Sequence, residues 1–280
     1  MHIDEIAAPK SLQEAIAVLK RRPNAIPWAG GTLIQTTTIG MDSERPASIL
    51  DLGGIAELTL INRSDRYLEL GACVTLSAIL SLPKSLSLEP LRGAAALIGT
   101  ATVRNLATIG GNIGSRESFM TCFSALACLD ASLELRDANG SRWSGIHALI
   151  DDENRPRFPK STLLTRIRIP TSSWDATAIH RLGEAPRGEA YPASFAAAAR
   201  FEKGTISELR LVAAGARIVR DRELEASLIG KRLPLGSKDI EETQSKAYQK
   251  ALDIGFDEAA ADHYGAYVAA FLSDVQEEGR

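Results

Sequence analysis

Residues 102–113 read TVRNLATIGGNI, and this stretch carries the strongest indication of the fold. Its paired glycines, Gly110 and Gly111, have no Cβ atoms, so the backbone around them can approach a ligand closely. Thr108 and Asn112 add polar side chains on either side of the pair. Such a turn beside the start of a helix is typical of a phosphate-binding site, because backbone N–H groups and the helix dipole favour an anion there.

A second glycine pair lies far upstream, in residues 29–32, which read AGGT and follow an apolar run at 25–29. Two such turns, one from each of two lobes, would together grip the pyrophosphate of a dinucleotide. The simpler alternative is that each pair only makes a tight turn. Neither GxGxxG after a strand nor GxxxxGK[ST] is present, so the common nucleotide fingerprints do not decide the matter. The pattern alone leaves both interpretations open.

The segments around the two turns predict a two-lobed α+β domain, residues 1–172. The first lobe, about 1–54, is expected to be βαβ-like, with a helix at 11–20 that Ser11 caps and strands at 25–29 and 48–52. Residues 33–39 are interpreted as a helix or a loop. For the second lobe, about 55–172, the pattern predicts a hairpin at 57–72, helices at 75–80, 89–100 and 119–129, and strands at 132–135 and 163–169.

Beyond Pro170 the composition changes, which places a domain boundary near residue 172 and a second domain at 173–280. Residues 172–188 are polar and are interpreted as a loop. Strands are expected at 194–201 and 208–217, and helices at 238–252 and 256–275, with apolar stripes that favour core packing over an interaction surface.

Composition excludes several classes of function. The 280 residues carry a formal charge of -3, so nucleic acid is not expected as a partner. No apolar run is long enough for a membrane span and the first residues lack a secretory pattern, so we expect a cytoplasmic protein. Three cysteines without a CxxC pair and four scattered histidines predict no metal site, so redox chemistry would need an organic cofactor.

The glycine segments also resemble the flavin-binding subunits of the molybdenum hydroxylases, a family that includes those of xanthine dehydrogenase and carbon monoxide dehydrogenase. Residues 29–32 are similar to the family's first flavin motif, and residues 102–113 to its second. The similarity continues, in the family's order and spacing, through residues 49–52, 70–75, 127–131, 163–170 and 228–230. It therefore covers nearly the whole chain.

The resemblance implies a PCMH-type (type 2) FAD-binding domain, followed by a carbon monoxide dehydrogenase flavoprotein C-terminal-like domain with a three-stranded sheet and helices. It also implies that Leu164 lies near the isoalloxazine ring, and that His180 or Arg181 falls near a basic position close to the flavin. The implied FAD-binding residues are Pro27, Trp28, Ala29, Gly30, Gly31, Thr32, Leu33, Ala107, Thr108, Gly110, Gly111, Asn112, Ser115, Thr121, Leu164 and His180.

By the same resemblance, the chain is an oxidoreductase subunit in a larger complex. Substrate would be hydroxylated at a molybdenum cofactor on a large subunit, and electrons would pass through [2Fe–2S] clusters on a small subunit. FAD on this chain would deliver them to NAD or another acceptor. Because the flavin carries the electrons, no catalytic acid, base or nucleophile and no metal is expected on this chain.

Two departures from the family pattern keep alternatives open. Leu33 stands where the family often has an acidic or polar residue, and residues 117–121 replace a Ser-Pro-x-x-Asp stretch, with Thr121 at the aspartate position and Glu117 as a possible substitute. A flavin-free scaffold subunit of the same complex is therefore one alternative. A free-standing FAD oxidase of the vanillyl-alcohol oxidase type is another, although the chain lacks a substrate-sized second domain and a candidate catalytic base.

Overall fold

The computed structural model describes residues 3–38, 47–114, 120–183 and 193–278. Within these ranges the strands form three sheets, of three, five and four strands, in chain order. The chain is thus α+β, as the sequence predicts.

The first sheet is parallel and has the order β1-β3-β2. Its elements are β1 (Ile3–Ala7), α1 (Leu12–Arg21), β2 (Ile26–Trp28), α2 (Thr32–Thr38) and β3 (Ala47–Asp51). Ser11 begins α1 by accepting a hydrogen bond from the Glu14 N–H, and the helix buries one apolar face. The predicted βαβ arrangement is confirmed, and the segment at 33–39 forms a helix as far as residue 38.

The second sheet is antiparallel and has the order β4-β5-β8-β6-β7. Its strands are β4 (Ile61–Arg63), β5 (Tyr67–Gly71), β6 (Ser132–Asp137), β7 (Gly140–Gly145) and β8 (Leu163–Pro170). Its helices are α3 (Leu76–Leu80), α4 (Glu89–Ala96), α5 (Ala101–Leu106), α6 (Ile109–Ile113) and α7 (Thr121–Cys128), with short 3₁₀ turns at Ala56–Thr59, Lys84–Leu86 and Ile146–Leu149. Alternate residues of its strands point into the core, as Ile167 and Ile169 of β8 do.

The predicted helix at 89–100 is wrong in its second half. Helix α4 ends at Ala96, and Gly99 takes a φ of +51° that breaks the helical path. Thr100 then caps α5 by accepting a hydrogen bond from the Val103 N–H. A glycine in the left-handed region and a threonine cap therefore outweigh the apolar spacing that suggested one helix.

The third sheet is antiparallel and has the order β12-β11-β10-β9. Its strands are β9 (Ala176–Leu182), β10 (Ala193–Glu202), β11 (Thr205–Ala214) and the two-residue β12 (Ile218–Val219), and its helices are α8 (Arg222–Leu228), α9 (Ser237–Ile254) and α10 (Glu258–Glu278). The expected three strands with helices are present, and the short β12 adds a fourth strand to the sheet. Within the described ranges, none of the helices is both long and apolar enough to cross a membrane.

The interpretation of residues 172–188 as a loop is wrong for residues 176–182, which form β9. This strand lies at the edge of the sheet and pairs along its length with β10. Most of its side chains are only half-buried, so it lacks the apolar alternation by which a strand is recognised in sequence.

The third sheet is buried on both faces and joins the two cores of the molecule. Ala196, Ala198 and Val212 pack into the core of the first 172 residues. Phe195 and Ala197, which alternate with them, pack into a second core with the C-terminal helices. The small alanine side chains of β10 allow helix α7 and the C-terminal helices to approach the sheet from opposite sides.

Candidate functional site

The two glycine segments lie against each other. A Cβ atom added to Gly30 would lie 1.8 Å from the carbonyl oxygen of Leu106 and 3.1 Å from the amide nitrogen of Ala107. Only glycine permits so close an approach of two backbones. Ala29, the residue before Gly30, packs against the first core. The chain thus brings the first segment into direct contact with the start of the second.

The first segment passes from β2 into α2 through a left-handed turn. Gly31 has a φ of +67°, and a Cβ there would lie 2.3 Å from the indole ring of Trp28. The indole ring of Trp28 therefore packs against this turn. Pro27 lies in β2, which pairs with β3, while Thr32 and Leu33 open α2.

Four consecutive backbone N–H groups of the second segment donate hydrogen bonds within the protein. The N–H of Ile109 donates to the carbonyl of Val74, that of Gly110 to the carbonyl of Ala72, that of Gly111 to Thr108 Oγ1, and that of Asn112 to the carbonyl of Thr108, at 2.8–3.1 Å. The expectation that this glycine pair presents its N–H groups to an anion is therefore wrong. The N–H groups of Ile109 and Gly110 hold the turn onto residues 72–74, and those of Gly111 and Asn112 close the turn onto Thr108.

The two glycines of this segment differ in what surrounds them. A Cβ on Gly110 would lie 2.6 Å from the carbonyl oxygen of Ala72, so this residue permits close packing. At Gly111, apart from its own turn of helix, Thr108 Oγ1 at 3.0 Å is the only described atom within 4 Å of a Cβ. Gly111 is also exposed. The missing side chain of Gly111 therefore leaves an open face that a ligand can occupy, which suits close approach of a cofactor.

Thr108 and Ala107 are themselves buried, at 6% and 8% exposure. Both therefore shape the turn more than they expose polar groups. Asn112 connects the turn to the next helix, since its Oδ1 accepts a hydrogen bond from the Cys122 N–H at 3.0 Å. Thr121, the first residue of α7, is thereby placed next to the second segment. Ser115 and Glu117 lie outside the described residues.

Leu164 is linked to the same turn through the backbone of Thr165, its neighbour in β8. The Thr165 carbonyl accepts a hydrogen bond from the Ala72 N–H at 2.9 Å, and the Ala72 carbonyl accepts one from the Gly110 N–H at 2.8 Å. Leu164 is 4% exposed and faces the first core. The strand that carries Leu164 and the glycine turn are therefore held together by two hydrogen bonds in series.

His180 lies elsewhere, on β9. Its ring stacks on Tyr267 of α10 with centroids 4.2 Å apart and planes 4° from parallel. Burial lowers the pKa of His180 below its ordinary value, and the negative charge of Asp274 partly opposes that effect. The described contacts of His180 are with the C-terminal core and include no residue of the glycine segments. Its role at the flavin stays a prediction, as does that of Arg181.

Leu106 and Ala72 lie in the family-like segments 102–113 and 70–75, but sequence reasoning did not name either as a residue of this site. Both act through backbone atoms, which leave little trace in side-chain patterns. The available signal is the small pair Gly71-Ala72 at the end of β5: a Cβ on Gly71 would lie 2.1 Å from the carbonyl of Leu58. Small residues at a strand end thus mark a place where backbones meet.

Comparison with known proteins places the chain in a family. Residues 2–172 match the family described as the FAD binding domain in molybdopterin dehydrogenase. The glyceraldehyde dehydrogenase medium chain of Sulfolobus acidocaldarius is 30% identical over 228 residues, which cover 80% of each chain. The xanthine dehydrogenase FAD-binding subunit of Escherichia coli O157:H7 is 26% identical over 246 residues, covering 85% of this chain and 83% of that protein.

A solved structure has the same fold over almost its whole length. A chain of the carbon monoxide dehydrogenase from Hydrogenophaga pseudoflava that lacks the Mo-pyranopterin moiety superposes with a TM-score of 0.82 at 24% identity, covering 98% of this chain and 96% of that one. The family match spans more than half of the chain and includes both glycine segments. This protein therefore belongs to the family of FAD-binding domains in molybdopterin dehydrogenases.

Proposed function

We propose that this chain binds one FAD at the joined glycine segments and serves as the electron-transfer subunit of a molybdenum hydroxylase. The observation that carries the proposal is the contact of Gly30 with Leu106 and Ala107, beside the open face of Gly111. Two lobes thereby offer one continuous backbone surface with room for a ligand. Family membership identifies that ligand as FAD.

The residues proposed to hold FAD divide by element. Residues 27–33 form the side of the site that comes from the first lobe, and Ala107, Thr108, Gly110, Gly111 and Asn112 form the side from the second. Thr121 and Leu164 extend it, and Ser115 and His180 complete the proposed set. FAD, when bound, supplies a ring system that accepts and releases electrons, which protein side chains do not. The chain's own task is to bind and orient that group and to exclude water from it.

The partners follow from the family resemblance. A small subunit would carry two [2Fe–2S] clusters and a large subunit the molybdenum cofactor, with NAD or another acceptor receiving the electrons. We also propose a division of this chain at residue 172 into the FAD-binding domain and the C-terminal domain. The change from the second sheet to the third near this residue supports that division.

A flavin-free scaffold subunit is the second candidate, and two residues favour it. Leu33 has an apolar side chain at the start of α2, and Thr121 has a neutral hydroxyl at the start of α7. Leu33 lacks the acidic or polar group, and Thr121 lacks the carboxylate, that the family often has at these positions. Loss of both groups would weaken cofactor binding while leaving the backbone surface intact.

Isolation of the intact complex separates these candidates. The chain would be tagged in its native host and purified under mild conditions, and the flavin released by heat, iron and molybdenum would be quantified. FAD together with iron, molybdenum and two further polypeptides is expected. Iron and molybdenum without FAD would favour the scaffold, whereas FAD without either metal would favour a free-standing flavoprotein.

A further inference from the structure

Strand β8 contains one more residue than the stretch of β6 that it faces. The pairing shifts in register there: Leu133 faces Ile167, Glu134 faces Arg166, and Leu135 faces Leu164. Thr165 has no partner in this pairing and is the extra residue of a β-bulge. Bulges bend a strand and re-aim its side chains.

The bulge determines where Leu164 points. In a regular strand, residues three apart face opposite sides of the sheet. Leu164 and Ile167 are three apart, yet both lie in the first core, at 4% and 0% exposure. The extra residue therefore turns Leu164, the residue proposed to lie near the isoalloxazine ring, to the core side.

A buried carboxylate holds the bulge in place. Glu134 accepts a hydrogen bond from Thr165 Oγ1 at 2.6 Å and a two-pronged pair from Arg166 Nε and Nη2 at 2.8 and 2.9 Å. Glu134 is 2% exposed and Thr165 is fully buried. Burial opposes ionisation of Glu134, but the hydrogen bonds from Arg166 and Thr165 outweigh it, and the pKa lies below its ordinary value. The carboxylate is therefore charged and fully engaged at neutral pH.

The same bulge also supports the glycine turn. The Thr165 carbonyl accepts from the Ala72 N–H, and the Ala72 carbonyl accepts from the Gly110 N–H. Gly110 is packed closely against Ala72, since a Cβ atom added to Gly110 would overlap Ala72. A shift of Thr165 would therefore move Leu164 and the turn that carries Gly111 together.

We propose that Thr165 and Glu134 are positioning residues for FAD: by fixing the bulge of β8, they set the relative placement of Leu164 and the Gly110–Gly111 turn. The inference rests on the proposed function, because it concerns residues that act on the cofactor through others. Neither residue belongs to the proposed FAD-binding set.

The test uses the full-length chain and FAD itself. Kd is measured by flavin fluorescence, and the visible circular dichroism of bound flavin reports its orientation, for the wild type, T165V, T165S and E134Q. Thr165→Val keeps the shape and removes the hydroxyl, whereas Thr165→Ser keeps the hydroxyl. Thr243→Val is the matched control, because Thr243 is a buried threonine of α9 whose hydroxyl donates to the Asp239 carbonyl at 2.6 Å, in the other core.

We expect T165V and E134Q to raise Kd about tenfold, the effect of about 1.4 kcal/mol, and to change the visible dichroism. T165S should bind close to the wild type, and T243V should lower the melting temperature without changing Kd. If T165V is not recovered folded, E134Q decides the comparison. Wild-type Kd and dichroism in both T165V and E134Q would overturn this inference alone, whereas a wild type that binds no FAD would overturn the proposed function and this inference with it.

Discussion

At the scale of single residues, the four glycines of the two turns have separate roles. Gly30 and Gly110 allow backbones to touch, Gly31 takes a left-handed conformation over an indole ring, and Gly111 leaves an open face. Both glycines of the first pair are therefore needed for folding, whereas the second pair combines a residue needed for folding, Gly110, with a residue that admits a ligand, Gly111. Substitution by alanine should separate the two effects.

Gly30→Ala is expected to destabilise the protein. The added methyl would overlap the Leu106 carbonyl, and neither backbone can yield without separating the lobes. The cost of such overpacking is about 1–3 kcal/mol, measured as the free energy of unfolding in urea. Gly145→Ala is the control, since no described atom lies within 4 Å of its added methyl. Equal stability of the two variants would contradict the contact.

Gly111→Ala is expected to weaken FAD binding without destabilising the fold. The fold should be retained because only the Thr108 hydroxyl oxygen must adjust. FAD should bind at least about tenfold more weakly, a loss of about 1.4 kcal/mol, because the added methyl occupies the open face. Far-ultraviolet dichroism and a fluorescence titration with FAD measure the two properties. Unchanged affinity would remove Gly111 from the site.

The sequence predicted which residues form the turns but not how they act. The side chains of Thr108 and Asn112 suggested donors for an anion, whereas Thr108 Oγ1 and Asn112 Oδ1 both accept hydrogen bonds that shape the turn. Hydrogen bonds to residues distant in the chain, such as Ala72, cannot be deduced from local spacing. The roles of individual atoms therefore required the structure.

At the scale of elements, helix α7 connects the candidate site to the C-terminal part of the chain. Its start is bonded to Asn112. At its end, Arg210 donates to the carbonyl of Cys128, the last helical residue, and just beyond it Asp130 pairs with both Arg210 and Arg220 at 3.0 and 2.7 Å. Positive groups at the C-terminal end of a helix also interact favourably with the helix dipole. The arginines therefore fix α7, and with it the second glycine segment, against the third sheet.

Arg220→Met is expected to lower the free energy of unfolding by about 3 kcal/mol, because breaking a buried ion pair leaves an uncompensated charge. Arg220 and Glu225 are 10% and 7% exposed and lie 3.1 Å apart. Arg155→Met is the comparison: Arg155 is 50% exposed, so its loss should cost no more than about 1 kcal/mol. Equal losses in urea unfolding would show that the Arg220 pair contributes nothing beyond a surface pair.

Strands at sheet edges were the elements that sequence patterns identified least well. Both β1 and β9 were missed, and both have mainly exposed or half-buried side chains. Their pairing with β3 and β10 comes from tertiary contact, which a local pattern does not contain. Buried strands such as β8, with clear apolar alternation, were predicted within a residue of their bounds.

At the scale of the whole molecule, the proposed division at residue 172 separates two parts of the sequence that are not independently stable, because the third sheet contributes to both cores. Val212 and Ile218 belong to the core of the first 172 residues, although they lie in the C-terminal part. Neither side can complete its core alone. The full chain should therefore unfold in one transition, with tryptophan fluorescence and far-ultraviolet dichroism coinciding.

Residues 1–172 expressed alone are expected to be less stable than the full chain by at least about 3 kcal/mol, the contribution of two buried aliphatic side chains. Exposure of the surface that Val212 and Ile218 cover should also promote aggregation. Urea unfolding and light scattering measure these properties. A fragment as stable and monomeric as the full chain would show that the third sheet is not part of its core.

The most direct test of FAD binding is a titration of the flavin-free chain with FAD, followed by the visible absorbance of bound flavin after removal of free cofactor. We expect saturation at one FAD per chain in the wild type and at least about tenfold weaker binding in Gly111→Ala, whose fold is retained. A folded wild-type chain that retains no FAD at high added concentration would contradict this expectation, and the scaffold function would then be the better explanation of the same fold.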